Sequence, residues 1–187
     1  MSIDEFTIAH ISDLHCGGPY FVPNLLERAI DEINELKPDV VVCSGDLTTF
    51  GFRPEYQQAR EFLDTIECDS LVVIPGNHDS RNVVYDAGDA IECLQRAGVN
   101  LVLSGHKHVP YAWRLEDLFI VNAGTVSSLR LRGHTRPCYN VIEIAEGHVD
   151  VWRKYPYHDQ EKIIQFSIET RSYEKYTDRI EREVRPA

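Results

Sequence analysis

Asp39-Val40-Val41-Val42-Cys43 and Leu71-Val72-Val73-Ile74 are almost unbroken apolar runs of strand length, each ending in turn residues. A strand with one wet face alternates polar and apolar side chains, whereas an unbroken run is expected where both faces are covered. Helical patterns separate these runs. Leu25, Leu26, Ala29, Ile30, Ile33 and Leu36 recur at helical spacing after Pro23, and Pro38 stops them. Pro54 opens a second helix, with Tyr56, Ala59, Phe62, Leu63 and Ile66 as its apolar positions. A third is read from Ala90, Ile91, Leu94 and Ala97, with Asp86 as N-cap and Gly98 as stop. With strands at 6–11 and 99–103, this alternation predicts parallel strands and right-handed helical crossovers.

The second half is richer in strands. Residues 118–121 form one, and 138–144 and 149–152 flank Ala145-Glu146-Gly147-His148, a hairpin signal. Ile163, Ile164, Phe166 and Ile168 predict a further strand, with a short charged helix after it. One domain over 1–154 is expected, with 155–187 an extension packed on it.

Each predicted strand of the first half ends in chemistry. The ends carry Asp13 and His15, then Asp46, then Asn77 and His78, then His106 and His108, every group beside a glycine. Ligands of open α/β sheets bind outside the carboxyl ends of strands. Asp13/His15 and His106/His108 are i, i+2 pairs, which point to one side of the chain if it stays extended. Two carboxylates, one amide oxygen and three imidazoles form an O/N donor set without thiolate. That set suits Mn, Fe or Zn and disfavours a structural zinc site. Six donors exceed what one ion with an open position takes, but fit two ions sharing a bridging carboxylate. Taken singly, Asp13-x-His15 is common by chance, Asp46 reads as a helix cap or turn residue and Gly76-Asn77-His78-Asp79 as a turn, while the paired imidazoles of Gly105-His106-x-His108 have little structural use; the ordered set of four carries the inference.

Charge sets bounds on the partner. Nineteen Lys and Arg against thirty Asp and Glu leave a net charge of −11, which disfavours long nucleic acid and anionic lipid. Phosphate chemistry stays open where bound cations supply local positive charge. No apolar stretch reaches the length of a membrane span. The first residues are acidic rather than basic, and five scattered cysteines read as reduced thiols, so a cytoplasmic protein is expected.

Asp13-x-His15, Gly45-Asp46, Gly76-Asn77-His78-Asp79 and Gly105-His106-x-His108 together resemble the calcineurin-like metallophosphoesterases, and most closely the cyclic-nucleotide-phosphodiesterase-type branch. The resemblance, spanning roughly residues 6–144, implies a four-layer α/β/β/α sandwich around a dinuclear centre. It implies that Asp13, His15 and His108 bind one divalent ion, that Asp46 bridges, and that Asn77 and His106 bind the second. His78 becomes the catalytic histidine, with Asp79 beside its ring. The implied activity is hydrolysis of small phosphomonoesters or phosphodiesters by metal-bound hydroxide. The alternative is a degenerate, non-catalytic metal-binding or protein-interaction module on the same fold.

One family element is absent. The pattern has a further histidine between Gly-Asn-His-Asp and Gly-His-x-His, and residues 80–105 contain none. Some central strands are therefore expected to be missing, with the junction at Arg81-Asn82, ahead of Val83-Val84-Tyr85-Asp86. A native deletion, a sequence lacking residues of the natural protein, and rescue by His134 are the three readings. The expected consequences are a weakened second metal site and an open sheet edge, covered by a homodimer partner or by the C-terminal tail. Cys16 reads as a packed thiol before a ligand. Arg130, Arg132 and Arg136 read either as a solvated loop or as a face toward substrate phosphate.

Overall fold

The computed structural model describes residues 5–79, 95–115, 118–131 and 135–176. Seven strands form one sheet in the order β10-β9-β8-β7-β1-β2-β3, and three form a second in the order β4-β6-β5. In chain order these are β1 (Phe6–Ile11), β2 (Val40–Ser44), β3 (Leu71–Ile74), β4 (Leu101–Ser104), β5 (Tyr111–Leu115), β6 (Leu118–Asn122), β7 (Tyr139–Ala145), β8 (His148–Lys154), β9 (Gln160–Ser167) and β10 (Tyr173–Lys175). Two helices, α1 (Pro23–Leu36) and α2 (Arg53–Leu63), follow β1 and β2.

Period-two alternation sorts the side chains of the large sheet between two cores. Ala9, Ile11, Val41 and Cys43 meet Leu26, Ala29, Ile30 and Ile33 of α1 and Ala59 and Leu63 of α2. On the opposite face Ile142, Val149, Val151, Ile164 and Phe166 meet Phe119 and Val121 of the small sheet. Phe119 and Phe166 stack across that interface at 3.8 Å. Helices, large sheet and small sheet are thus three successive layers, as the α/β/β/α expectation requires. The predicted third helix falls largely outside the described residues. Its stop is described: Gly98 has φ +70° and its N–H donates to the Gln95 carbonyl.

The first half follows the predicted alternation with one correction. β1, β2 and β3 are parallel neighbours, but β4 pairs parallel with β6 in the other sheet. An apolar run names no partner, so four successive strands read from sequence divide between two sheets. β5 was not foreseen. The hairpin joining β7 and β8 is as predicted, and positive φ at Glu146 (51°) and Gly147 (76°) matches the twist-compatible two-residue turn.

Proline and a left-handed cap bound α1. Pro23 begins it, and Lys37 ends it at φ 53° with its N–H donated to the Ile33 carbonyl. In α2 the buried Glu55 carboxylate accepts the backbone N–H groups of Phe50 (3.0 Å) and Phe52 (2.9 Å), holding the loop that leads into the helix. Among the described residues β3 has a strand neighbour on one side only, and its Leu71, Val72, Val73 and Ile74 are all exposed, which corrects the covered run expected from the sequence. The described part of the C-terminal segment, up to residue 176, does not cover it. β9 and β10 extend the opposite edge of the sheet, and β10 occupies part of the stretch where a charged helix was expected. Residues 177–187 lie outside the described chain.

Candidate metal centre

Asp13 and His15 follow β1, Asp46 follows β2, and His106 and His108 follow β4. One donor atom from each of Asp13, His15, Asp46 and His108 lies within 4.8 Å of the other three, and all four residues are buried. His15 Nε2 and His108 Nε2 approach to 2.8 Å, with Asp13 Oδ1 3.3 Å from His108 Nε2 and 3.9 Å from His15 Nε2. Asp46 Oδ2 lies 3.9 Å from His15 Nε2 and 3.6 Å from His106 Nδ1.

Loop geometry brings these donors together. Asp13, His15, Asp46, His106 and His108 all have positive φ, five of the nine non-glycine residues that do so among those described. Left-handed backbone is costly for a side-chain-bearing residue and persists only where the surroundings impose it. Here they do: Asp13 and His15 donate their N–H groups to the carbonyls of Gly45 and Asp46. The N–H of His106 donates to both Asp13 carboxylate oxygens. Thr125 Oγ1 donates to the Asp13 carbonyl, and Asn122 Nδ2 to that of Val109, so the loop after β6 braces both others. Gly105 packs so closely that a Cβ there would strike the Ser12 hydroxyl and the Asp13 carboxylate.

This corrects the extended-pair reading. Left-handed turns separate the members of the second pair: the His108 side chain is 4% exposed, that of His106 53%. His106 stands at the solvent side of Asp46, outside the four-donor cluster. Asn77 lines a cavity with His15 and His78.

The electrostatics favour a cation. Burial, then the neighbouring His108, push the His15 pKa down, outweighing Asp13 and Asp46. Its imidazole is therefore neutral, with a lone pair to give. Burial raises the Asp13 pKa, but the hydrogen bond and charge of His108, with Ser12 and the His106 N–H, carry the net shift downward. His108 Nδ1 donates to the Arg130 carbonyl at 2.8 Å, which fixes the ring with Nε2 toward the cluster. Asp46 Oδ2 is buried without a hydrogen-bond partner. An unsatisfied buried carboxylate oxygen is costly, and a divalent ion would satisfy it. The donor set therefore fits a divalent metal.

His78 and Asp79 part ways. His78 Nδ1 donates to the Thr49 carbonyl at 2.7 Å, and its ring meets His15 edge-on at 4.9 Å. Asp79 does not hold that ring, which corrects the sequence reading. Its carboxylate accepts the N–H groups of Leu47, Thr48 and Gly76 and the Thr48 hydroxyl, and so ties the β3 loop to the β2 loop. Four donors on one carboxylate leave it a positioning role. Cys16 is packed without exposure, and burial pushes its thiol up to about 12. Residues 81–86, Arg132 and His134 lie outside the described chain. Sequence reasoning missed Tyr20 and Phe50 on the cavity wall, where an aromatic in a loop carries no periodic signal; Arg130, read as either solvated or facing substrate, lines the same cavity.

The family model of the calcineurin-like phosphoesterases matches residues 6–93. Glycerophosphodiester phosphodiesterase GpdQ of Enterobacter lignolyticus is 36% identical over 83 residues, 40% of this chain and 30% of that protein. A probable cyclic nucleotide phosphodiesterase of Vesicomyosocius okutanii is 30% identical over 83 residues, 42% and 35%. The matches thus span about a third of each curated relative. A predicted phosphoesterase from Streptococcus pneumoniae superposes with a TM-score of 0.59 at 20% identity, over 87% of this chain and 99% of that one. Vps29 of Entamoeba histolytica, solved with Zn²⁺, superposes at 0.61 with 14% identity, over 84% and 98%. Residues 6–93 thus match the calcineurin-like phosphoesterase family model, and the described residues have the metallophosphoesterase fold.

Proposed function

We propose that the chain is a metal-dependent phosphoesterase acting on small phosphomonoesters or phosphodiesters, of the cyclic-nucleotide-phosphodiesterase type. The observation that carries this reading is the convergence of Asp13, His15, Asp46 and His108, with an orphaned Asp46 Oδ2, beside the ring of His78. Asp13, His15 and His108 would hold one ion and Asp46 would bridge. Asn77 and the half-exposed His106 would contribute to a leaner second site. Mn, Fe or Zn suit these donors. Such ions supply Lewis acidity toward phosphoryl oxygens and acidify water.

The chain's own groups do the rest. The Thr49 carbonyl fixes His78 with Nδ1 as donor, so the proton that His78 would give to a substrate is one carried on Nε2. From there it stabilises phosphoryl charge or passes to the leaving oxygen as the P–O bond breaks. Asp79 holds the loop that carries His78. A net charge of −11 favours a small substrate over long nucleic acid. Among the described residues no helix is long and apolar enough to cross a membrane, and we place the protein in the cytoplasm.

The test is hydrolysis of 4-nitrophenyl phosphate mono- and diesters with Mn²⁺ added, for wild type, His78→Ala and Asp46→Asn. Both variants should lose at least about a hundredfold, the scale of a lost general acid. Unchanged turnover in both refutes the reading. Metal analysis after dialysis against dilute metal should give fewer than two ions per chain; two tightly held ions would refute the lean second site.

A further inference from the structure

A cavity of about 410 Å³ opens beside the centre, with His15, Asn77 and His78 at one side. That volume lies in the ~300–1,000 Å³ range of sites that enclose an organic ligand, more than a phosphoryl group alone occupies. Its other walls come from three loops: Tyr20 from the β1–α1 loop, Phe50 from the β2–α2 loop, and Arg130 from the loop after β6. Both rings are well exposed, Tyr20 at 54% and Phe50 at 45%. Phe21 lines the cavity as well, but its ring is seated edge-on against Phe62 at 5.7 Å. Among the described residues no carboxylate pairs with the Arg130 guanidinium.

Each wall residue is geared to the candidate centre through its own backbone or its neighbour's. The Arg130 carbonyl is the acceptor for His108 Nδ1–H. Thr49, adjacent to Phe50, accepts from His78 Nδ1 and donates its hydroxyl to the His15 carbonyl. The Tyr20 carbonyl accepts the Leu129 N–H at 2.8 Å, and Phe21 bridges to Ser128, so the Tyr20 and Arg130 loops are joined. The backbones that carry Tyr20, Phe50 and Arg130 are therefore tied to the groups that would hold a phosphoryl group, with the Phe50 ring tilted against that of Phe52 at 6.1 Å.

We propose that Tyr20, Phe50 and Arg130 are the specificity determinants of this site, selecting phosphoesters whose organic group carries an aromatic ring. The ring packs against Tyr20 and Phe50, which offer area and offset-stacking geometry at low entropic cost. Arg130 forms charge-assisted hydrogen bonds to an anionic oxygen of the ester. This rests on the phosphoesterase reading above and goes beyond it in naming the substrate's organic group.

The experiment measures calorimetric binding of phenylphosphonate and methylphosphonate to the Mn²⁺-loaded protein, with hydrolysis of 4-nitrophenyl phosphate run in parallel. Wild type should bind phenylphosphonate about tenfold or more tightly than methylphosphonate. The Tyr20→Ala/Phe50→Ala double variant should bring that ratio below about threefold, and Arg130→Ala should weaken both ligands by a similar factor of about ten. Circular dichroism checks the fold of each variant; Tyr20→Leu/Phe50→Leu serves if the alanines unfold. Equal affinity of the two phosphonates for wild type, or an unchanged ratio in the aromatic variants, overturns the inference while leaving the phosphoesterase reading intact. Absence of any metal-dependent hydrolysis overturns both.

Discussion

Acidification probes the buried histidine near the candidate metal centre. His10 lies on β1 with no exposed surface. The Asn140 amide nitrogen contacts its Nδ1 at 3.3 Å and can only donate, which leaves Nε2–H to donate to Ser44 Oγ at 2.7 Å. Burial disfavours the imidazolium and outweighs the pull of Asp13, bringing the pKa down from 6.5 to about 4. Above the ordinary histidine pKa neither the folded nor the unfolded chain is protonated at this position, so stability is unaffected. Between the two pKa values the unfolded chain takes up a proton that the folded chain refuses. Stability then falls as the pH falls, by about 1.4 kcal/mol per unit at full slope. The loss accumulated at about pH 4.5 is on the order of 2–3 kcal/mol. Urea unfolding of wild type and His10→Gln, in EDTA to remove metal linkage, reads it directly. Titrations common to both proteins cancel in the difference. From about pH 7 to about pH 4.5 that difference should move by about 2–3 kcal/mol in favour of the variant. A difference constant to within about 0.5 kcal/mol would refute the account of His10 as a buried neutral group.

Two further outcomes follow from other parts of the structure. Glu55→Ala strips acceptors from the Phe50 and Phe52 N–H groups and should cost about 1–3 kcal/mol in urea unfolding, with Glu55→Gln costing less than half of that; equal losses would show that the carboxylate's acceptor role is not what matters. Saturating Mn²⁺ at about a hundredfold over its Kd should stabilise the wild type by about 2.7 kcal/mol and raise Tm by about 5–10 °C. His15→Ala and Asp46→Asn should reduce that rise, and a Tm indifferent to Mn²⁺ in wild type would contradict the cluster as a metal site.

Legibility in the sequence divides along a physical line. Strand 40–44, the proline-started α1 and α2, and the Glu146-Gly147 hairpin are short-range features, because alternation, helical spacing and turn chemistry are written within a few residues. The donors are legible for the same reason: Asp13, His15, Asp46, His106 and His108 stand in glycine-flanked turns at strand ends. The exposure of β3 is a long-range matter, set by what packs against it and not by its own apolar run.

Side-chain chemistry at strand ends was therefore determined by sequence alone: which residues beside glycine-containing turns carry donor atoms. Tertiary structure decided how those donors divide. It put β4 in the second sheet, turned His106 toward solvent and His108 inward, and gave Asp79 to backbone N–H groups while Thr49 took His78. It also joined Tyr20, Phe50 and Arg130 on one cavity wall from loops far apart in the chain. Each depends on contacts between residues distant in sequence, where pairing register, left-handed turns and competition for hydrogen bonds settle the direction of a side chain that local periodicity leaves open.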